Sequence, residues 1–313
     1  MSTSTPPFPE STPFVSFPFA FTASCPDRLL SFALPSLGSY VSLDEPTLPR
    51  RVVRLVRERT ARGPDPLGIV VFVTAGVVAS ELLLFSGRTW PAIWGHFLTL
   101  LFCTGLLHRG NDTTLVQTFM LVPLFRLVNL GMPVFFQLTA YWFPLIYGPL
   151  VPALVLVDRT NPDMDVSFGL RRALLLLPVA LPMGAALAEV ESAILESAAL
   201  IPTWSLGQLL MISVVMVCFV GFVEEYLFRA LLQPALQDAY GRWPGILFAS
   251  AIFGLMHSGY GIPAEMLFAG VIGFVFGVCY EYLDSLVFIS IVHGVLNVFL
   301  FAVLPIKGSM VSF

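Results

Sequence analysis

From residue 67 onward, long apolar runs alternate with short polar connections. An apolar run of about 18 residues or more with few charges is long enough to cross a bilayer as a helix. The gap between the third and fourth runs is short, so the pattern predicts an all-α, polytopic transmembrane helical bundle of about 8–9 spans. The runs cover residues 67–86, 90–107, 114–130, 133–157, 173–189, 205–236, 243–258, 263–280 and 285–304.

The composition supports the same class. The chain of 313 residues is 57% hydrophobic and only 12% charged, with a mean hydropathy of +0.85. Soluble domains carry roughly 25% charged residues, so the composition indicates an integral membrane protein. No stripe of basic residues suited to nucleic acid is present. The expected surroundings are therefore the lipid bilayer, with no nucleic-acid partner.

The chain divides into four segments by composition. Residues 1–49, rich in Pro, Ser and Thr, predict a poorly ordered tail, and residues 50–66 form a basic juxtamembrane segment. Six arginines in Arg50–Arg62 favour an N-terminus on the cytoplasmic side of the cell membrane. Residues 67–200 are predicted to form the N-terminal transmembrane helices. Residues 201–306 form a second transmembrane group, which contains the candidate chemistry.

The segment Gly221–Gln233 carries charges where the pattern predicts none. Glu224, Glu225 and Arg229 follow directly on the uncharged run Leu206–Val223. Each charged group at the centre of a membrane helix costs ~2.5–3.5 kcal/mol on insertion scales, so three together require an explanation. On a helix, Glu225 and Arg229 stand at i and i+4 and can neutralise each other. Glu224 is left over, which makes it a candidate general base.

Two other runs place polar side chains at a similar depth. His257 lies four residues after Phe253, and Asn297 lies four residues after His293, hence on the same helix face. Counting ~1.5 Å per residue from the expected helix ends places Glu224 and these three polar groups in the middle of the membrane. Three helices are thus predicted to bring Glu, His, His and Asn to one level, as a site would require.

Each residue also has a simpler explanation. A single membrane histidine or asparagine is often an interhelical hydrogen bond without chemistry. Glu225 and Arg229 are read as a structural ion pair, because mutual neutralisation accounts for both. His96 and His108 lie near the ends of runs and are read as interfacial, and Ser258 is read as a turn residue rather than a serine nucleophile. The prediction of a site depends on the four groups together.

Three motifs in residues 205–305 resemble those of the CPBP family, the CAAX prenyl endopeptidases of the Ras-converting type and their Abi and bacteriocin-processing relatives. The motifs are Glu224-Glu225-x-x-x-Arg229, Phe253-x-x-x-His257 and His293-x-x-x-Asn297. The resemblance implies a polytopic helical intramembrane protease. Such a protease cuts a short peptide from the C-terminus of a membrane-associated substrate, which in eukaryotes is first prenylated on its CAAX cysteine.

The resemblance implies a catalytic role for each of the four central residues. Glu224 would deprotonate a water molecule that His257 orients, and the water would attack the scissile carbonyl. His293 and Asn297 would donate hydrogen bonds to the developing oxyanion.

Supporting roles follow for the other motif residues, Glu225, Arg229 and Phe253. Glu225 and Arg229 would hold the helix of Glu224 in register, and Arg229 could meet a substrate carboxylate.

Metal dependence stays open at this point. Glu224, His257 and His293, from three helices, could also serve as zinc ligands with an open position for water. The HExxH signature is absent after all four histidines. The expectation favours water activation without a cofactor and keeps zinc as the alternative.

A different class of function is compatible with the same residues. Intramembrane Glu, His and Arg also serve proton relays, so a proton-coupled carrier, or a bacteriocin immunity or scaffold factor, is the alternative. The pair of His293 and Asn297 favours the protease, because a proton relay needs no oxyanion hole.

Overall fold

A computed structural model gives the structure of the protein for most of the chain. The predicted tail at residues 1–49, and the basic segment except for its last residue, lie outside the described residues. The structure describes residues 66–110, 113–131, 140, 142–164, 166–203 and 205–306.

The described part of the chain is mostly helical and contains no strand, which confirms the all-α prediction. One short 3₁₀ turn, Ser258–Tyr260, follows α9. The helices are α1 (Pro66–Phe85), α2 (Thr89–His108), α3 (Thr113–Gly131), α4 (Trp142–Tyr147), α5 (Leu150–Thr160), α6 (Leu170–Leu175), α7 (Leu177–Ser192), α8 (Leu206–Tyr240), α9 (Arg242–Leu255), α10 (Pro263–Leu283) and α11 (Leu286–Ile306).

Every predicted apolar run contains a helix, but fewer of the helices than expected are long enough to cross a bilayer unaided. Within the described ranges, 7 spans meet the length and hydropathy of a transmembrane helix, with α4 and α5 counting as one. The runs predicted at 173–189 and 243–258 form α7 and α9, of 16 and 14 residues, and fall short of that length. The protein is an integral membrane protein with a polytopic helical bundle.

The longest helix, α8, changes its winding around the two glutamates. It begins at Leu206, where the Ser205 hydroxyl caps the helix by accepting a hydrogen bond from the Gln208 amide. Two π-helical stretches, Val215–Gly221 and Tyr226–Leu232, flank a single α-helical turn. That turn carries Glu224 and Glu225. Such π segments are rare and frequently occur at functional sites.

Helix α11 lies in the middle of the second group of helices and packs against α7 and α8. Its contact with α8 depends on glycine. A Cβ atom on Gly294 would lie 2.5 Å from Cα of Val217, and a Cβ atom on Gly221 would lie 2.7 Å from the carbonyl oxygen of Ser290. The two backbones therefore approach each other closely, which brings the glutamates of α8 against the face of α11 that carries His293.

Candidate functional site

The four residues predicted from the sequence meet around one cavity. Glu224 of α8, His257 directly after α9, and His293 and Asn297 of α11 all line a cavity of about 310 Å³. Glu224, His293 and Asn297 are each less than a tenth exposed. The helices thus bring together a carboxylate, two imidazoles and an amide, which is a set capable of acid–base chemistry and of hydrogen bonding to an oxyanion.

Glu224 and His257 also face a second cavity. This space of about 420 Å³ is lined on its other side by Arg126 and Asn129 of α3. Tyr147 lines both cavities. The candidate base and the first histidine therefore line two cavities.

The carboxylate of Glu224 is held by a tyrosine that the sequence did not single out. The Tyr147 hydroxyl donates a hydrogen bond of 2.6 Å to Oε1 of Glu224. On the other side, Oε2 of Glu224 lies 3.9 Å from Nε2 of His293. Tyr147 belongs to α4, in a part of the chain without a recognisable motif, and an aromatic residue within an apolar run gives no signal that it contacts a carboxylate.

Glu225 is fully buried and bridges two partners, a histidine and an arginine, rather than one. Its Oε1 lies 2.7 Å from Nδ1 of His293, and its Oε2 lies 3.1 Å from Nε of Arg229. The Arg229 guanidinium is itself buried, and the nearest of three surrounding phenylalanine rings is Phe253, at 4.2 Å from its centroid. Arg229 does not line either cavity, so the structure gives no support to its expected contact with a substrate carboxylate.

The ring of His257 is fixed by its own helix. Its Nδ1 lies 3.0 Å from the carbonyl oxygen of Phe253. Because a carbonyl can only accept, Nδ1 carries the proton, and Nε2 of the neutral ring is an acceptor. The ring also stacks on Tyr260, at 6.2 Å between centroids.

A second buried polar cluster secures the chain on both sides of His257. Arg126 donates to both carboxylate oxygens of Glu81, at 2.7 and 2.9 Å, and also to the carbonyl oxygen of Met256. The Ser258 hydroxyl donates to Glu81. His96 is fully buried with Nε2 at 3.2 Å from Glu81, so its reading as an interfacial residue was wrong.

This cluster joins the N-terminal helices to the candidate site. Glu81 lies on α1 and Arg126 on α3, and their opposite charges within two apolar runs were a signal that sequence reasoning did not use. Ser258 is completely buried and engaged with Glu81, as expected for a residue other than a nucleophile. Because Met256 and Ser258 are both held, His257 between them has little freedom to move.

In the part of the chain that the structure describes, no three His, Cys, Asp or Glu side chains are grouped closely enough to hold a metal ion. Of the alternative zinc ligands, His293 has Nδ1 engaged by Glu225, and His257 has Nδ1 engaged by the Phe253 carbonyl, which leaves Nε2 as the available nitrogen of each ring.

Comparison with known proteins finds a family match in the segment that contains this site. No curated protein and no solved structure matches the chain. Residues 206–299 match the family model described as type II CAAX prenyl endopeptidase Rce1-like. This match covers α8 to α10 and most of α11, and it supports an intramembrane peptidase acting on membrane protein substrates. This match confirms the resemblance to the CPBP family that the three motifs indicated.

Proposed function

We propose that this protein is an intramembrane endopeptidase that removes a C-terminal peptide from a membrane-associated, prenylated protein by direct attack of water. The observation that carries the proposal is the convergence of Glu224, His257, His293 and Asn297 on one cavity within a helical membrane bundle. The family match over the same segment supports the class of reaction.

Glu224 is the proposed general base. Tyr147 occupies Oε1 and leaves Oε2 as the oxygen that can accept a proton from water. Nε2 of His257 accepts a hydrogen bond from the same water and orients it. The water oxygen then bonds to the scissile carbonyl carbon, and its proton moves to Glu224. Collapse of the tetrahedral intermediate breaks the C–N bond, and the proton passes from Glu224 to the leaving amine.

His293 and Asn297 are the proposed donors to the oxyanion. With Nδ1 of His293 engaged by Glu225, Nε2 is the nitrogen that faces the cavity. Donation from Nδ1 to Glu225 and from Nε2 to the oxyanion uses the imidazolium form of His293, in which both nitrogens carry a proton. The amide of Asn297, one helical turn away, supplies the second donor. Removing one such donor typically costs about 3 kcal/mol of transition-state stabilisation.

The proposal extends to cofactor and orientation. We infer that water is activated without a metal. We also infer that the protein lies in the cell membrane with its N-terminus on the cytoplasmic side, from the arginines of Arg50–Arg62. A reporter fused to the N-terminus, active only in the cytoplasm, tests the orientation.

The function is tested by cleavage of a quenched fluorescent CAAX peptide by detergent-purified protein. Wild type is compared with Glu224→Ala, with and without a strong chelator, and Glu189→Gln serves as a control for a charge outside both cavities. We expect cleavage by wild type and the control, loss in Glu224→Ala, and no effect of the chelator. A farnesylated and an unmodified peptide are run in parallel, and faster cleavage of the farnesylated one is expected.

Other results separate the alternatives. Loss of cleavage with the chelator, restored by zinc, would replace metal-free activation with a metalloprotease mechanism. Absence of cleavage by wild type, together with proton flux in liposomes that depends on Glu224, would replace the protease with a proton-coupled carrier.

A further inference from the structure

The main cavity carries more negative charge than the proposed reaction uses. Besides Glu224, its lining includes Glu191, at the C-terminal end of α7, and Glu196, in the segment that follows. All residues that line it are described, and none is Lys or Arg. Glu191 is buried, whereas Glu196 is exposed at the surface of the protein.

The nearby cations do not offset this charge. Arg229 is paired with Glu225 outside the cavity, and Arg126 is paired with Glu81 on the side of the second cavity. Of the two histidines in the lining, His293 contacts Glu224 and Glu225, and His257 contacts a backbone carbonyl. The end of the cavity formed by Glu191 and Glu196 is therefore acidic, and no described arginine neutralises it.

A fourth carboxylate adjoins the same place. Glu265 of α10 is completely buried, and neither of its carboxylate oxygens has a hydrogen-bond donor among the described residues. It lines a small cavity of about 30 Å³ together with Glu191, His257, His293 and Asn297. The side chain that approaches Glu265 is the carboxylate of Glu191.

A buried carboxylate without a donor is costly unless a charged or hydrogen-bonding partner compensates for the lost water. Among the described residues, Glu191 and Glu265 have only each other, and a proton shared between the two carboxyl groups still leaves one negative charge without a cation beside it. Glu191 connects the small cavity with the main one. The group missing from this place is a donor with positive charge. A carboxylate ligand would be repelled, and a neutral apolar side chain would leave the negative charge of the two glutamates uncompensated.

We propose that Glu191 and Glu196, with Glu265 behind Glu191, form a subsite for the ammonium or guanidinium group of a basic residue in the substrate. The proposal rests on the proposed peptidase function and narrows its substrate class to peptides with Lys or Arg near the scissile bond. Charge-assisted hydrogen bonds to carboxylates of this kind are roughly twice as strong as neutral ones.

The test uses one series of CAAX peptides in which a single position, moved stepwise along the peptide, is Lys, Arg, norleucine or Glu. Norleucine keeps the apolar length of Lys without its charge. At the position that meets the subsite, we expect wild type to prefer Lys or Arg over norleucine by about tenfold in kcat/KM. In Glu191→Gln and in Glu196→Gln, that ratio should fall towards one.

The matched control is Glu189→Gln, because Glu189 is exposed, lies in the same segment and lines neither cavity. It should keep the wild-type ratio. If Glu191→Gln fails to fold, Glu196→Gln still tests the subsite, because Glu196 is exposed and its replacement leaves the core unchanged. Equal cleavage of Lys and norleucine peptides by wild type, at every position, would overturn the proposal. So would a ratio that is unchanged in both cavity variants.

A binding measurement keeps the subsite and the peptidase function apart. Fluorescence anisotropy of labelled Lys and norleucine peptides is measured with Glu224→Gln protein, which binds without cleaving. The same measurement is made with a double variant that also carries Glu191→Gln. If the single variant prefers the Lys peptide and the double variant does not, the result supports the subsite even if wild type cleaves no peptide. Equal binding of both peptides overturns it, whether or not cleavage occurs.

Discussion

The two adjacent glutamates on α8 should respond differently when each is changed to glutamine: Glu224→Gln should lose cleavage, and Glu225→Gln should lose stability. Glu224 lines the cavity and has one neutral hydrogen-bond donor, Tyr147. Glu225 is fully buried and neutralises Arg229 while it holds His293. Glutamine preserves the size of both side chains, so the comparison isolates the charge.

The two environments set the expected magnitudes. Breaking a buried ion pair by removing one partner typically costs ~3–5 kcal/mol, because the other charge stays buried without compensation. In Glu225→Gln the uncompensated charge is Arg229, which is enclosed by phenylalanine rings and 1% exposed. In Glu224→Gln no cation is left unpaired, and the Tyr147 hydroxyl can still donate to the amide oxygen. We expect a change below about 1 kcal/mol there.

The assay is thermal unfolding in detergent, measured with peptide cleavage on the same samples. Glu225→Gln should lower the unfolding temperature markedly, whereas Glu224→Gln should keep it near the wild-type value while cleavage disappears. Wild-type stability in Glu225→Gln would refute the reasoning about the buried pair. Equal destabilisation by both changes would show that Glu224 supports the fold, as Glu225 does, rather than serving only the reaction in the cavity.

Three further changes probe the supports of the site. Tyr147→Phe keeps the ring but removes the hydrogen bond to the proposed base, and we expect kcat to fall by about tenfold with little change in unfolding temperature. Glu81→Gln leaves the buried guanidinium of Arg126 without its carboxylate, so we expect it to lower the free energy of unfolding by ~3–5 kcal/mol and to reduce cleavage. Gly294→Ala places a methyl group against the backbone of Val217 and should destabilise by ~1–3 kcal/mol, whereas Gly105→Ala, with open space around it, should not.

The helical architecture could be predicted because the bilayer imposes long apolar runs, and the runs appear directly in the sequence. The start of α8 at Leu206, for example, lies one residue from the predicted boundary. Its winding could not be predicted. The first π stretch packs against α11 and the second packs mainly against α3, α5 and α9, and apolar periodicity carries no information about such packing.

The candidate site was predictable where charge stood out against an apolar background, as at Glu224 and His293. The contacts of Glu225 were predicted only in part, because i, i+4 spacing indicates Arg229 but says nothing about a residue on another helix such as His293. Tyr147 and the burial of His96 were missed for the same reason. Such partners are set by how helices pack together, which local spacing along the chain does not specify.

The central claim is that Glu224 activates the water that hydrolyses the peptide bond. It is tested most directly by the single-turnover rate of CAAX peptide cleavage in wild type and Glu224→Gln, with equal unfolding temperatures and peptide occupancy established first. Loss of a general base typically lowers the rate by ~10²–10⁴-fold, and we expect a fall in that range. A Glu224→Gln enzyme that cleaves as fast as wild type would contradict the account.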